Sequence, residues 1–283
     1  RVRARALLRH RQDSPTGRLM LPPIEVREYG EPGATLLVLL HGGPGAPGYM
    51  APLARALAAR GYHVLEPLQR SSAPDLILTV DRHVEDLQQI LAPLNHPVIL
   101  GSSWGAMLAL AHAAKYPGVA SALILVGSGT FSLASREEFS RGHEMRRALD
   151  ALDEEAAREG LDPDEKLRRH VAIVDQAYSY DLISPELELL DIDGVGNKQA
   201  WQDMIALQER GVYPSAFERI DVPALLIHGD VDPHPGDWIH RELLPHVPQL
   251  EYIELERCGH YPWMERFARE AFLEQVERWT ENH

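Results

Sequence analysis

Four short apolar runs set the frame: Thr35 to Leu40, Pro97 to Leu100, Ala122 to Val126 and Ala224 to Ile227. Each is rich in leucine or β-branched residues and ends in turn residues. A strand covered on both faces has no wet side to alternate with, so these runs predict buried strands of a parallel sheet. Tyr62 to Leu65 and Leu250 to Leu255 are weaker runs of the same kind that fit between and after them. Ile24 to Tyr29 instead sets Ile24, Val26 and Tyr29 against Glu25 and Arg27, which predicts an antiparallel entry strand with one wet face. Helical spacing fills the gaps: Met50 to Ala59, then Val84, Leu87 and Leu91 before Pro93, then the alanine-rich Trp104 to Lys115 before Pro117. Strand, helix and strand in repetition imply an α/β fold, with a mostly parallel central sheet and right-handed crossovers that place helices on both faces.

The rhythm breaks between Phe131 and Glu218. Charged helical patterns run from Arg136 to Glu159 and from Glu165 to Tyr178, followed by an irregular stretch around Asp191-Ile-Asp-Gly-Val-Gly-Asn197. Because Pro223 to Ile227 resumes the buried-strand pattern at once, the expectation is a helical lid, residues 131–218, inserted into a core made of residues 1–130 and 219–283.

Composition narrows the class. The chain has 283 residues, 45% of them hydrophobic, enough for a sizeable core, and 28 − 42 = −14 formal charges. That charge repels phosphate backbones and anionic lipid, so neither nucleic acid nor a membrane is an expected partner. The basic start, Arg1, Arg3, Arg5, Arg9 and Arg11, reads as a solvated edge. Cys258 is the single cysteine and has no internal disulfide partner. Without a membrane-length apolar run or a signal peptide, the expected compartment is the cytoplasm, although a chain opening on arginine leaves room for a removed leader.

Chemistry concentrates at strand ends. Gly101-Ser102-Ser103-Trp104-Gly105 fits G-x-S-x-G, directly after an apolar strand and directly before a helix. The glycines permit a turn sharp enough to lift a serine hydroxyl above the sheet, and only Ser103 has the spacing of a nucleophile. His41-Gly42-Gly43-Pro44-Gly45 closes an earlier strand, and the backbone amides of Gly43 and Trp104 are the candidate donors to an oxyanion. An activated serine needs a base, and the base needs an orienting acid. His260 follows Gly259 in a loop after a strand. Asp232 lies far enough beyond the preceding strand to meet it, whereas Asp230 is expected to cap a turn. His228, inside a buried run, is expected to be a satisfied core histidine, and His234, His240 and His246 remain open as alternatives to His260 but follow no catalytic spacing. There is no H-E-x-x-H, no zinc-spaced Cys/His cluster, no phosphate loop and no G-x-G-x-x-G, so neither metal nor cofactor is expected and the partner is a small-molecule substrate.

HGGPG, GSSWGA, HGDVDPHPG and CGHYPW, in this order, resemble the α/β-hydrolase superfamily and its proline iminopeptidase branch, over roughly Ile24 to Trp279. The resemblance implies the α/β-hydrolase fold, a triad of Ser103, Asp232 and His260, and an oxyanion hole of Gly43 and Trp104. Where that branch carries Asp-Gln-Arg-Gly, this chain has Leu68-Gln69-Arg70-Ser71-Ser72. Lid carboxylates hold the substrate's free amino terminus in those peptidases; Glu186, Glu188 and Glu209 are available here, with none matched to that role. The expected activity is therefore that of a serine hydrolase cleaving a small carboxylic ester or amide. The alternatives are release of N-terminal proline and a ligand receptor or non-hydrolytic lyase that keeps the triad.

Overall fold

The computed structural model describes residues 3–6, 24–139, 143–183 and 190–283. Arg1, Arg9, Arg11, Glu186 and Glu188 lie outside them. Eight strands form one sheet among these residues: β1 Arg3–Ala6, β2 Glu25–Tyr29, β3 Leu36–Leu40, β4 His63–Pro67, β5 Val98–Ser102, β6 Ala122–Val126, β7 Ala224–Gly229 and β8 Leu250–Leu255, in the order β1-β2-β4-β3-β5-β6-β7-β8. β3 to β8 run parallel, while β1 and β2 pair antiparallel, with β2 docking antiparallel on β4 as the alternation of Ile24 to Tyr29 predicts.

The helices are α1 Ala51–Ala59, α2 Val80–Leu91, α3 Trp104–Lys115, α4 Leu133–Phe139, α5 His143–Glu159, α6 Pro163–Ala177, α7 Gly194–Glu209, α8 Gly236–Leu243 and α9 Arg269–Asn282. Period-two alternation divides the core between the two faces of the sheet. Val38, Leu40, Leu123, Leu125 and Leu226 pack with α2, α3 and α8, whereas Leu37, Leu39, Ile124, Val126 and Ile227 pack with α1 and α9. Each fully buried leucine or isoleucine adds about 1.5–3 kcal/mol, and β5, β6 and β7 are buried along their whole length. Among the described residues no helix is long and apolar enough to cross a membrane.

Two expectations need correction. The pattern from Arg136 to Glu159 divides into α4 and α5. The stretch Asp191 to Asn197 is not irregular throughout, because Gly194-Val-Gly-Asn is the first turn of α7, with the Asp193 carboxylate accepting from Gly196 N–H at 2.8 Å. The glycines that suggest a loop serve close packing. A Cβ on Gly194 would collide with the Pro163 carbonyl at the start of α6, and one on Gly196 would come 2.9 Å from Leu78 Cδ1.

α4 to α7 stand between β6 and β7 in the chain, and residues of each line one cavity with Ser103 and His260. His41, Ser103, Gly127, Asp232 and His260 all follow the carboxyl ends of parallel strands, in the crevice where open α/β sheets bind ligands.

Candidate active site

Ser103 takes φ 55° and ψ −119°, a left-handed conformation that side chains rarely adopt, and its N–H is held by Val126 C=O at 2.8 Å. The flanking glycines make this turn possible. A Cβ on Gly101 would meet Ala106 N at 2.6 Å, and one on Gly105 would meet His41 O at 2.8 Å, because α3 starts directly against the ends of β3 and β5. Ser102 is wholly buried, with Tyr49 O–H donating to its Oγ at 3.4 Å, whereas Ser103 is partly exposed in a cavity. Of the two serines, Ser103 is the one that lines the cavity.

His260 Nδ1 lies 2.7 Å from Asp232 Oδ2, both residues being nearly inaccessible to solvent. Gly127, at φ 54°, backs this pair so closely that a Cβ there would sit 2.8 Å from His260 Nδ1. Burial pushes the Asp232 carboxyl up, but the attraction and hydrogen bonds of His260 and His234 outweigh it and hold the group well below the usual carboxylate range. Asp230 is placed differently. Its Oδ1 accepts Cys258 N–H at 3.0 Å, tying the β7 loop to the loop that carries His260. Ser103 and His260 line one cavity, and no hydrogen bond among those of the described residues joins them.

Two histidines depart from expectation. His228 is buried, but it is not satisfied: neither ring nitrogen has a hydrogen-bond partner, and its Nδ1 lies 3.7 Å from Asp232 Oδ2. Burial pushes its pKa down to about 4, so the ring stays neutral behind the carboxylate. His234, which follows no catalytic spacing, packs against the Asp232–His260 pair. Its backbone N–H and Nδ1 meet Asp232 Oδ1 at 2.9 and 3.0 Å, and its ring stacks on His260 at 4.8 Å. A histidine two residues after the candidate acid is the signal that could have found it.

Asp232, His234 and His260 are also the one group among the described residues whose donor atoms converge within 4.8 Å, as a metal site would require. The Asp232 oxygens are already engaged, Oδ2 at 2.7 Å from His260 Nδ1 and Oδ1 by the His234 backbone N–H at 2.9 Å.

Sequence reasoning also missed the supports of the glycine-rich turn. Gly42 N–H donates to Tyr49 Oη, and a Cβ on Gly42 would come 2.6 Å from Ser103 Cβ, so the turn lies directly over the serine. Gly43 has φ 45°, and neither its N–H nor that of Trp104 has an acceptor among the described residues. The Leu68 to Ser72 stretch is built into the site. Gln69 reaches both His41 and the Trp104 indole, Arg70 forms a buried two-pronged pair with Asp86 at 2.6 and 2.8 Å, and Ser72 Oγ donates to Asp193 Oδ1 at 2.7 Å. Ser72 thereby fastens the start of α7, whose Asp193 N–H also bonds Gly45 C=O at 2.7 Å.

The cavity holds about 330 Å³. Its wall is largely apolar, with Phe139, Leu149, Leu167, Val171, Val174 and Trp201 from α4 to α7 facing Ser103 and His260. Arg136 and His170 also line it, and no carboxylate does among the described residues; Glu209 is exposed elsewhere on α7.

Residues 37–274 match the alpha/beta hydrolase family. A proline iminopeptidase of Lactobacillus crispatus is 26% identical over 274 residues, covering 88% of this chain and 91% of that protein. A probable proline iminopeptidase of Streptomyces coelicolor is 34% identical over 129 residues, covering 40% of this chain and 39% of that protein, so that likeness concerns only part of each. Among solved structures, the proline iminopeptidase of Mycobacterium smegmatis superposes with a TM-score of 0.61 at 22% identity, over 92% of this chain and 95% of that one, a likeness of fold.

Proposed function

This chain belongs to the alpha/beta hydrolase family, and we propose that it is a serine hydrolase cleaving a small, neutral carboxylic ester or amide through an acyl-enzyme. The observation that carries the reading is the His260–Asp232 pair at 2.7 Å in the same cavity as Ser103 on its left-handed turn. His260 Nε2 takes the proton of Ser103 Oγ as the oxygen adds to the substrate carbonyl, while Asp232 steadies the imidazolium. The carbonyl oxygen, now negative, is held by Gly43 and Trp104 N–H. Collapse of this intermediate breaks the bond to the leaving group, which receives the proton from His260. Water then attacks the acyl-serine by the same steps, releasing the acid and restoring Ser103. The missing Ser103–His260 hydrogen bond fits a free enzyme whose catalytic contacts tighten when substrate arrives.

The cavity wall supports the substrate class. A free amino terminus is a cation, and taking it out of water requires a carboxylate partner. No described lining residue supplies one, and the Asp175 carboxyl next to the lining Tyr261 is taken by the Tyr261 O–H at 2.8 Å, whereas the apolar wall suits an uncharged acyl group. Residues 131–218 act in this reading as the lid of a core formed by 1–130 and 219–283, with α4 to α7 closing the cavity over the serine. Release of N-terminal proline is the second reading, favoured by the named relatives. It needs an acid facing the cavity; of the three unmatched acids the sequence offers, Glu209 does not line the cavity, and Glu186 and Glu188 lie outside the described residues. Rates on p-nitrophenyl acetate and butyrate, set against prolyl-naphthylamide, decide between the two. Higher kcat/KM on the esters is expected. A preference for the prolyl amide that vanishes in Glu186→Gln or Glu188→Gln would replace the first reading by the second.

A further inference from the structure

Two backbone amides can stabilise an oxyanion only if both aim at one point, and glycine, which lets the chain approach the substrate, does little to hold an aim. Gly43 follows Gly42 in a glycine-rich turn, so something outside the turn must orient its N–H. The hydrogen bonds around His41 supply it. Gln69 N–H donates to His41 Nε2 at 3.1 Å, which leaves the ring proton on Nδ1, and Nδ1 lies 2.9 Å from Gly42 C=O. The Gly42 carbonyl and the Gly43 N–H belong to one planar trans peptide and point in opposite directions. Holding the carbonyl against the His41 ring therefore turns the N–H the other way. Burial keeps His41 neutral, its pKa pushed down to about 4, so this arrangement of donors and acceptors persists through the neutral range.

The second donor is fastened to the same residue. The Gln69 side chain donates from Nε2 to His41 C=O at 2.8 Å and accepts from Trp104 Nε1 at 2.8 Å. Trp104 is fully buried, and its own backbone N–H is the other candidate oxyanion donor. One side chain thus spans the two walls that must converge.

We propose that Gln69 is a positioning residue that aligns the Gly43 and Trp104 N–H groups by bridging His41 to the Trp104 indole. The proposal rests on the serine-hydrolase reading. Gln69 touches no reacting atom, so its removal acts on the transition state and leaves ground-state binding nearly unchanged. Losing a whole oxyanion donor costs about 10²–10³-fold in kcat, which bounds the effect of misaiming it.

The test compares wild type, Gln69→Met and Trp104→Phe for ester kcat and KM, and for inhibition by a trifluoromethyl ketone, whose adduct with serine carries the oxyanion. Gln69→Met is expected to lower kcat by about 10- to 100-fold, with KM within about twofold, and to weaken the ketone by a similar factor. Trp104→Phe cuts one arm of the bridge and is expected to cause a smaller loss of the same kind. The double variant should be no worse than Gln69→Met alone, because the two changes break one connection. Should Gln69→Met fail to fold, Trp104→Phe decides alone. An unchanged kcat and ketone affinity in the folded variants, or a loss confined to KM and melting temperature, would overturn the positioning role while leaving the hydrolase reading intact. A wild-type protein on which the ketone had no effect would overturn that reading and the proposal with it.

Discussion

α3 and α5 are both helices of the same chain, yet their surroundings are opposite. All residues of α3 except Lys115 are buried between the sheet and its neighbours, and its first turn carries the site's serine elbow. α5 is longer, but among its described side chains only Met145 and Leu152 are buried; its outer faces carry surface ion pairs such as Arg146–Asp150 and Lys166–Asp153, worth about 0–1 kcal/mol each. In the proposed reading, the close-packed core holds the reacting groups in place, and the less buried inserted helices leave room to vary the side chains that line the cavity. On that reading, chemistry sits on the first region and selectivity on the second.

The widest separation is expected between two aspartates of one core loop. Asp232→Asn removes the charge that orients His260 and should lower kcat by about 10³- to 10⁴-fold with the fold kept. Asp230→Asn weakens only the tie to Cys258 N–H and should act on stability, so paired kinetics and melting curves separate the two. A stable Asp230→Asn protein with the larger rate loss would reverse the assignment.

A smaller contrast sets core against insertion. Leu108→Ala in α3 opens a cavity in close packing and should cost about 2–5 kcal/mol of unfolding free energy. Leu149→Ala in α5, half-buried at the cavity wall, should cost less than about 1 kcal/mol while shifting preference toward longer acyl chains. Equal destabilisation in urea titrations would contradict the division.

How much of the molecule is legible in its sequence follows the same line. The parallel strands, α3 and the Ser103 elbow can be read because each rests on a local pattern, apolar runs or glycines at fixed spacing. The His260–Asp232 pair can be read because both residues follow strand ends. What escapes depends on contacts far apart in sequence. Ser72 and Asp193 lie 121 positions apart, and Gln69 and Trp104 lie 35 apart. The departure from Asp-Gln-Arg-Gly at Leu68 to Ser72 reads as a loss in isolation, yet Ser72 fastens α7 and Gln69 supports the turn. α7 itself is hidden by glycines whose purpose is contact with α6 and Leu78.

A further predicted effect concerns acid. His112, on the buried side of α3, has its pKa pushed down to about 4 by burial, as do His41, His83 and His228. Their folded pKa lies below the unfolded value, so the unfolded chain binds more protons between about pH 6.5 and 4. The stability they contribute is complete above that window and lost as pH falls through it, at about 1.4 kcal/mol per pH unit for each histidine. His112→Gln should make the acid fall of stability, followed by denaturant melts from pH 6.5 to 4.5, shallower by one proton. An unchanged slope would mean that this histidine is not held neutral.

The central claim is that Ser103 is the activated nucleophile, and a fluorophosphonate tests it most directly, because the reagent phosphonylates a serine only where base and oxyanion donors act together. Mass spectrometry of the digested protein should place one label on Ser103. Ser103→Ala should keep the melting temperature, lose the label, and hydrolyse esters more slowly on the order of 10⁴-fold. A label on Ser102, or ester turnover that survives Ser103→Ala near the wild-type rate, would contradict the account.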